Sequence, residues 1–271
     1  MISKIIKYLL LIILSFLFVF PFLWMILSSF KANKEVLAIP VKLFPEEWTI
    51  NAYVNLANFA NYDFSRYFLN SIIVTALAVL LAVILCTTAG YGFAKYKFTG
   101  NNFLFFFVLS TIMIPFQAIV VPLFILMKEL GLQNSYLGLI IPESLTAFGV
   151  FLMRQFFYSV PDEIIESARI DGASELRIFW SISIPLAKTA IFALIIFHSQ
   201  WVWNLLLWPL IIISSPEMRT IPQAISLFSG VYFTPYPEQL AISVLACLPL
   251  LFLFSIISKN FVKGITLTGL K

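Results

Sequence analysis

Charged residues are scarce in this sequence of 271 residues, of which they make up 11%. An average soluble domain contains roughly 25%. Hydrophobic residues make up 61% of the chain, and its mean hydropathy is +0.98. So little charge excludes an ordinary soluble domain and indicates a membrane protein.

Cysteine and histidine are nearly absent, since the chain contains only Cys86, Cys247 and His198. Both cysteines lie among apolar residues, which favours small packing residues over a disulfide or a metal pair. The catalytic motifs G-x-S-x-G and H-E-x-x-H do not occur, and there is no Cys/His cluster. We therefore expect that this chain is not an enzyme and that it binds no metal.

A phosphate-binding loop is missing as well. The pattern G-x-x-x-x-G-K-[ST] does not occur, and none of the ten glycines precedes a lysine. In that loop, backbone amides and the lysine hold the phosphates of ATP, so this chain does not bind ATP by that route. We expect no cofactor in this chain, and any energy from ATP must enter through another subunit.

Six stretches with little or no charge are long enough to cross a membrane. About 20 apolar residues in a helix span the hydrocarbon core, where only helices and closed barrels satisfy the backbone hydrogen bonds. The first stretch is too long for a signal peptide and no cleavage site follows it. The sequence predicts an all-α polytopic membrane protein, one domain over residues 1–271, with about six transmembrane helices at residues 8–30, 67–94, 98–127, 130–153, 189–216 and 239–258.

Lysine and arginine are distributed unevenly between the two sides of these spans. Six spans place both termini on one side, which carries eleven basic residues against six on the other. Cytoplasmic loops carry this excess in membrane proteins, so we predict cytoplasmic termini and an external loop at residues 31–66. The formal charge of +4 follows largely from this distribution and indicates no nucleic-acid partner.

Prolines in the third and fourth predicted spans are expected to disturb their helices. Pro115 and Pro122 lie in the third span, and Pro142 lies in the fourth. Proline has no amide proton and its ring collides with the preceding turn, so each should kink or break its helix. Lipid tolerates such a break only where neighbouring helices or water satisfy the freed carbonyls.

A block of charged residues, 159–188, lies between the fourth and fifth predicted spans. Ser159 and Asp162 predict a capping box at the start of one short helix, and Gly172 predicts its left-handed end. Ser174 predicts the cap of a second short helix. The block is therefore expected to form a helix, a turn and a helix at the cytoplasmic face of the membrane.

Apolar residues in the second of these helices indicate a docking surface. Leu176, Phe179 and Trp180 form an apolar face beside charged residues, and apolar groups presented to water on a polar frame usually mark a contact. The alternative is a well-capped, solvated loop with no partner. The apolar face counts against that alternative.

The same block carries a recognisable motif. Its spacing matches the EAA signature of the permease subunits of bacterial ATP-binding-cassette importers at Glu166, Ala168, Gly172, Ile182 and Pro185. A fuller form resembles the carbohydrate branch of that family through Asp171, Ala173 and Phe179, although Ser167 replaces the middle alanine of the signature. The stretches "FLNSIIVT", "PFQAIVVPLFILMKELGLQNSYLGLIIP" and "WNLLLWPLI" resemble the second permease of maltose-type systems.

This resemblance covers nearly the whole chain, and it implies a type I importer permease fold in the bacterial plasma (inner) membrane. It implies that residues 166–185 form the coupling helix, which contacts a cytoplasmic ATPase through Glu166, Ala168, Asp171, Gly172, Ala173, Leu176 and Phe179. The implied partners are a second permease, two ATPase subunits that bind ATP and Mg, and an extracellular solute-binding protein. The implied function is to form half of the translocation pathway of an ATP-driven importer for a sugar or oligosaccharide.

The C-terminal stretch "VKGITLTGLK" resembles the family's terminal pattern at Gly264, Gly269 and Lys271. The resemblance implies that the tail reaches between the ATPase subunits. The alternative is a frayed terminus without a partner.

Polar residues inside the predicted spans are candidates for substrate contacts, because such residues are costly in lipid. Glu143 lies in the fourth span, and one face of the fifth carries Gln200, Trp201, Asn204 and Trp208. An aromatic ring and amide groups suit the apolar face and the hydroxyl edge of a sugar. For Glu143 the alternative is a position near the external interface.

For Gln200 and Asn204 the alternative is hydrogen bonding between helices, as is common in membrane proteins. Trp208, near the external end of the fifth span, is expected in the interfacial aromatic belt. His198 lies off the shared face, and we predict that it forms a hydrogen bond to a neighbouring helix.

A secondary transporter or channel subunit driven by an ion gradient is the alternative function. That class predicts internal repeats and paired carboxyl groups inside the membrane. The sequence shows no repeat, and Glu143 is the only acid found inside a predicted span.

Overall fold

The computed structural model describes residues 2–58, 63–228 and 234–268, with side chains at 4–56, 63–228 and 234–258. All regular elements in these residues are helical. The α-helices are α1 (Ile2–Ser28), α2 (Asn33–Val36), α3 (Asn51–Asn58), α4 (Phe64–Lys95), α5 (Asn101–Ser110), α6 (Phe116–Glu129), α7 (Tyr136–Ile140), α8 (Ala147–Ser159), α9 (Asp162–Ile170), α10 (Glu175–Ile178), α11 (Ile184–Leu186), α12 (Lys188–Trp203), α13 (Leu207–Ile212), α14 (Ile221–Leu227) and α15 (Tyr236–Thr268). A π-helical turn, Phe179–Ser183, joins α10 to α11.

Three helices are long and apolar enough to cross a membrane without a break, namely α1, α4 and α15. Three more stretches qualify as bent helix pairs. The bends are 103° between Asn101–Met113 and Phe116–Glu129, 43° between Tyr136–Glu143 and Ala147–Ser159, and 74° between Glu175–Leu186 and Lys188–Trp203. In the described residues, length and composition therefore allow six spans if each bent pair crosses once. That number agrees with the sequence-based expectation.

The bends only partly follow the prolines. Pro115 lies between the two helices of the first pair, and Pro142 lies in the 3-10 turn Ile141–Glu143 of the second, so both expected interruptions are confirmed. At Pro122 the helix does not break, because α6 continues through that residue to Glu129. The missing amide removes one hydrogen bond, and the bonds of the flanking residues keep the helix intact.

The predicted fifth span, residues 189–216, is also wrong at its end. Its helix, α12, stops at Trp203, and a separate short helix, α13, follows. The apolar composition continues across this break, and composition alone does not reveal it.

The centre of the fold is α4, which packs chiefly against α8 and α12. The buried side chains between these helices include Cys86, Tyr91, Met153, Phe157 and Leu194. In contrast, Ser28 at the end of α1 is the one buried side chain among the described residues of that helix, so α1 presents most of its side chains to lipid or to another subunit.

Close approach of α4 and α8 depends on Gly90. A Cβ atom at this position would lie 2.6 Å from Cβ of Met153 and 2.8 Å from the backbone nitrogen of Arg154. Gly92, on the same helix, has no such neighbour within 4 Å. The two glycines therefore form a matched pair.

We expect Gly90→Ala to destabilise the fold by about 1–3 kcal/mol, because the backbone of α8 must shift. Gly92→Ala should leave stability unchanged or raise it by up to about 1 kcal/mol, since alanine favours a helix more than glycine does. The thermal stability of the detergent-extracted chain measures both effects. Equal melting temperatures for the two variants would contradict this account of the packing.

Candidate coupling surface and intramembrane site

The charged block forms the expected helix, turn and helix. Gly172 has φ +81°, its amide donates to the carbonyl of Arg169 at 3.0 Å, and the amide of Ala173 donates to the carbonyl of Ala168 at 3.0 Å. These two bonds define a Schellman motif, the usual end of a helix at a left-handed residue. Ser174 accepts the amide of Arg177 at 3.4 Å, so the left-handed turn and the second cap are both confirmed.

The predicted capping box at the start of the block is wrong. Helix α8 extends to Ser159, whose hydroxyl donates back to the carbonyl of Phe156 at 2.6 Å, as serine hydroxyls commonly do within helices. Pro161 takes the cap position of α9, with no side-chain hydrogen bond. Asp162 instead binds Lys95, and this cation lowers the pKa of its carboxyl group.

The predicted apolar face is divided between two environments. Leu176 and Trp180 are 73% and 57% exposed, but Phe179 is buried, with its ring centre 5.0 Å from that of Tyr91 on α4. The expectation that Phe179 is presented for docking is therefore wrong. The π-helical turn begins at this residue, and its side chain anchors the block to α4.

The other predicted coupling residues also divide into two groups. Ala168 is buried and Ala173 is half-buried, so both lie on the side that faces the rest of the chain. Glu166, Asp171, Gly172 and Leu176 are exposed. The exposed group forms the candidate coupling surface.

Sequence reasoning missed a cluster that attaches this block to the end of α4. The Tyr96 hydroxyl donates to Oε2 of Glu175 at 2.8 Å, and Nε of Arg169 donates to Oε1 of the same carboxyl group at 2.6 Å. Arg169 and Tyr96 lower the pKa of Glu175 by these hydrogen bonds. Burial, followed by the bond to Glu175, raises the pKa of Tyr96 to about 12, so its hydroxyl remains a donor at neutral pH.

At the opposite end of α4, Asn70 is a second attachment that sequence reasoning missed. Its side chain is buried, and its amide donates to the carbonyls of Glu217 and Arg219, each at 2.8 Å. Its carbonyl oxygen accepts the hydroxyl of Tyr136 at 2.6 Å. The signal in the sequence that could have revealed this attachment is a polar residue, Asn70, within an apolar run.

Two of the intramembrane candidates, Glu143 and Trp201, are in contact. Glu143 is 7% exposed, and Nε1 of Trp201 on α12 donates to its Oε2 at 2.8 Å. Nε2 of His198, also on α12, lies 2.8 Å from the backbone carbonyl oxygen of Glu143. The predicted cross-helix hydrogen bond of His198 is confirmed, and α12 is joined to the bend between α7 and α8.

Gln200 and Asn204 do not join this contact. Both are exposed, and the Asn204 amide donates to the backbone carbonyl of Gln200 at 2.7 Å, where α12 ends. The expected belt position of Trp208 is wrong: the residue lies on α13, is fully buried and donates to the carbonyl of Gly138 at 2.9 Å. The helical spacing that related it to Gln200 ends with α12.

Known proteins share both the sequence and the fold of this chain. Residues 86–267 match the family model of the binding-protein-dependent transport system inner membrane component. The chain belongs to this family. It is thus a permease subunit of an ABC importer and not an enzyme, and the all-α permease fold expected from the sequence is confirmed.

Individual members of the family align over almost the full length of this permease. The arabinooligosaccharides transport system permease protein AraQ of Bacillus subtilis (strain 168) is 36% identical over 95% of this chain and 92% of its own. The lactose transport system permease protein LacG of Rhizobium radiobacter is 30% identical over 96% and 94%. A chain from the crystal structure of a bacterial ABC transporter involved in the import of the acidic polysaccharide alginate has a TM-score of 0.81, at 25% identity and 96% coverage of each chain.

Proposed function

We propose that this permease imports a sugar or oligosaccharide, forms half of the pathway and receives the cytoplasmic ATPase on residues 166–185. The relatives that are named for arabinooligosaccharides and lactose support the substrate class. The observation that carries the coupling role is the left-handed turn at Gly172, around which Glu166, Asp171 and Leu176 are exposed in one helix-turn-helix block. Exposed apolar and charged groups on a fixed frame favour a docking surface.

The complete importer would contain three further kinds of subunit: a second permease, two ATPase subunits that bind ATP and Mg, and an extracellular solute-binding protein. The family description supports the last of these. The unburied side chains of α1 support a lateral partner, because lipid or another subunit must cover them.

The orientation we propose places both termini and the block at residues 159–188 in the cytoplasm, with the loop at residues 31–66 outside. The excess of basic residues on the side of the termini supports this orientation. Lys95, Arg169 and Arg177 all lie at that end of the bundle or in the block.

One experiment tests the coupling role and the orientation together. The purified ATPase subunit is added to right-side-out and to inside-out vesicles that contain the two permeases. We expect stoichiometric binding to the inside-out vesicles alone, and weaker binding with Leu176→Glu, which places a charge on the proposed surface. Binding to right-side-out vesicles would show that the orientation is the opposite of the one proposed. Failure to bind either kind of vesicle would refute the coupling role. Uptake of labelled lactose or arabinooligosaccharide by the complete complex tests the substrate class.

A further inference from the structure

The end of α4 bonds to the coupling block at two separated points. Nζ of Lys95 donates to the carbonyl of Val160 and to Oδ1 of Asp162, each at 2.6 Å, where α9 begins. The next residue, Tyr96, donates to Glu175 at the start of α10. Two consecutive residues of one helix end therefore hold both helices of the block.

Arg169 closes the arrangement by joining α9 to α10 across the turn. Its Nε and Nη2 donate to the two carboxyl oxygens of Glu175 at 2.6 Å and 3.1 Å. With the Tyr96 bond, this carboxyl group accepts three hydrogen bonds, and both of its oxygens are fixed. A two-point arginine–carboxylate bond sets geometry as well as energy.

Stability alone does not explain this cluster. The Arg169 and Glu175 side chains are 42% and 45% exposed, and ion pairs so open to water contribute little to folding. The Gly172 turn between the two helices has open space around it, with no atom within 4 Å of a Cβ placed there. The polar cluster is thus well placed to fix the angle between α9 and α10.

We propose that Tyr96, Glu175 and Arg169 are positioning residues that make the coupling block move as one body with the end of α4. This inference rests on the proposed function of the block as the ATPase contact. Helix α4 is continuous over 32 residues, roughly 48 Å at about 1.5 Å per residue. Because Asn70 attaches its opposite end to the segment that contains Glu217 and Arg219, movement of the block would reach that segment directly.

The test uses the complete complex with spin labels on cysteines at Lys97 and Ser181, which are exposed residues beyond α4 and in the π-helical turn after α10. Dipolar broadening of the electron paramagnetic resonance spectrum reports the distance between the labels, with and without ATP. In the otherwise unaltered complex we expect one narrow distance that ATP does not change. Tyr96→Phe should shift the balance towards a second, ATP-sensitive distance by roughly five-fold, the ratio that one lost hydrogen bond typically produces. Arg169→Glu should shift it further, because it removes two hydrogen bonds and places two carboxyl groups side by side.

The charge-swapped variant Arg169→Glu/Glu175→Arg should restore the narrow distance, because the ion pair forms again and the Tyr96 hydroxyl accepts from an arginine. Arg177→Gln, a charge change in the same block outside the cluster, serves as the control. An unchanged narrow distance in Tyr96→Phe and Arg169→Glu, with ATPase bound, would overturn the proposal. Absence of ATPase from the unaltered complex would instead refute the proposed function of the block.

Discussion

Replacing Gly172 by valine should weaken binding of the ATPase to the coupling surface while leaving the chain in the membrane. The residue has φ +81°, a conformation that costs a β-branched side chain about 1–2 kcal/mol or more. A Cβ there meets no atom within 4 Å, so the strain lies in the backbone and not in a collision. Relief of that strain would rotate α10 and move Leu176 away from its position on the coupling surface.

The expected loss is a five- to thirty-fold weaker association of the ATPase, which corresponds to about 1–2 kcal/mol. Association is measured by titrating the purified ATPase against permease in detergent or nanodiscs. Gly172→Asn should retain most of the affinity, because asparagine tolerates the left-handed region better than other side chains do.

Gly131 provides a matched control for backbone strain. It also has a positive φ, +71°, with no atom within 4 Å of a Cβ, but it lies in the turn after α6. Gly131→Val should carry a similar strain without weakening ATPase binding. Equal losses for the two valine variants would indicate a general folding defect, and full affinity of Gly172→Val would remove the block from the coupling role.

The features that could be predicted from the sequence are those decided by neighbours in the chain. The left-handed turn at Gly172 and the cap at Ser174 each depend on a few adjacent residues, and both are confirmed. The predicted capping box at Ser159 is wrong for an equally local reason: helix α8 continues through Ser159 instead of ending before it. Local rules predict the type of an element better than its end.

Features that depend on distant residues were not predictable in the same way. Phe179 and Trp208 are apolar in sequence, and only the packing of α4 and α7 against them decides that they are buried. The Tyr96–Glu175 bond joins residues 79 positions apart, and no periodic pattern relates them. The predicted roles of Gly269 and Lys271 lie outside the described residues, as does the side-chain environment at Gly264.

The contact between Glu143 and Trp201 yields the second large expected effect. Trp201 is 58% exposed although its indole nitrogen bonds to the buried Glu143, so more than half of the residue is left uncovered by this chain beside the carboxyl group. A ring face next to a hydrogen-bonding group suits a sugar. We therefore propose that these two residues line the substrate pathway, with exposed Gln200 and Asn204 beside them at the end of α12.

Trp201→Ala should lower uptake at limiting sugar, because it removes the aromatic ring. It also leaves the buried Glu143 carboxyl group without its indole donor, and an unsatisfied buried group costs about 1–3 kcal/mol. Trp201→Phe should lower uptake less, since a ring remains. Asn204→Leu should weaken solute affinity by about 0.5–1.5 kcal/mol if its amide also contacts the sugar. Uptake of labelled lactose or arabinooligosaccharide per assembled complex, at limiting and saturating concentrations, measures these effects.

A purely structural role for Trp201 makes a different prediction. If its indole serves only to satisfy Glu143, then removing both partners with Glu143→Leu/Trp201→Phe should restore normal uptake, because no buried polar group is left unpaired. If both residues contact the sugar, the double variant should remain at least as impaired as Trp201→Phe alone at limiting sugar and approach normal rates at saturation. Recovery in the double variant would therefore exclude the pathway role and leave the contact as a link between α12 and the bend after α7.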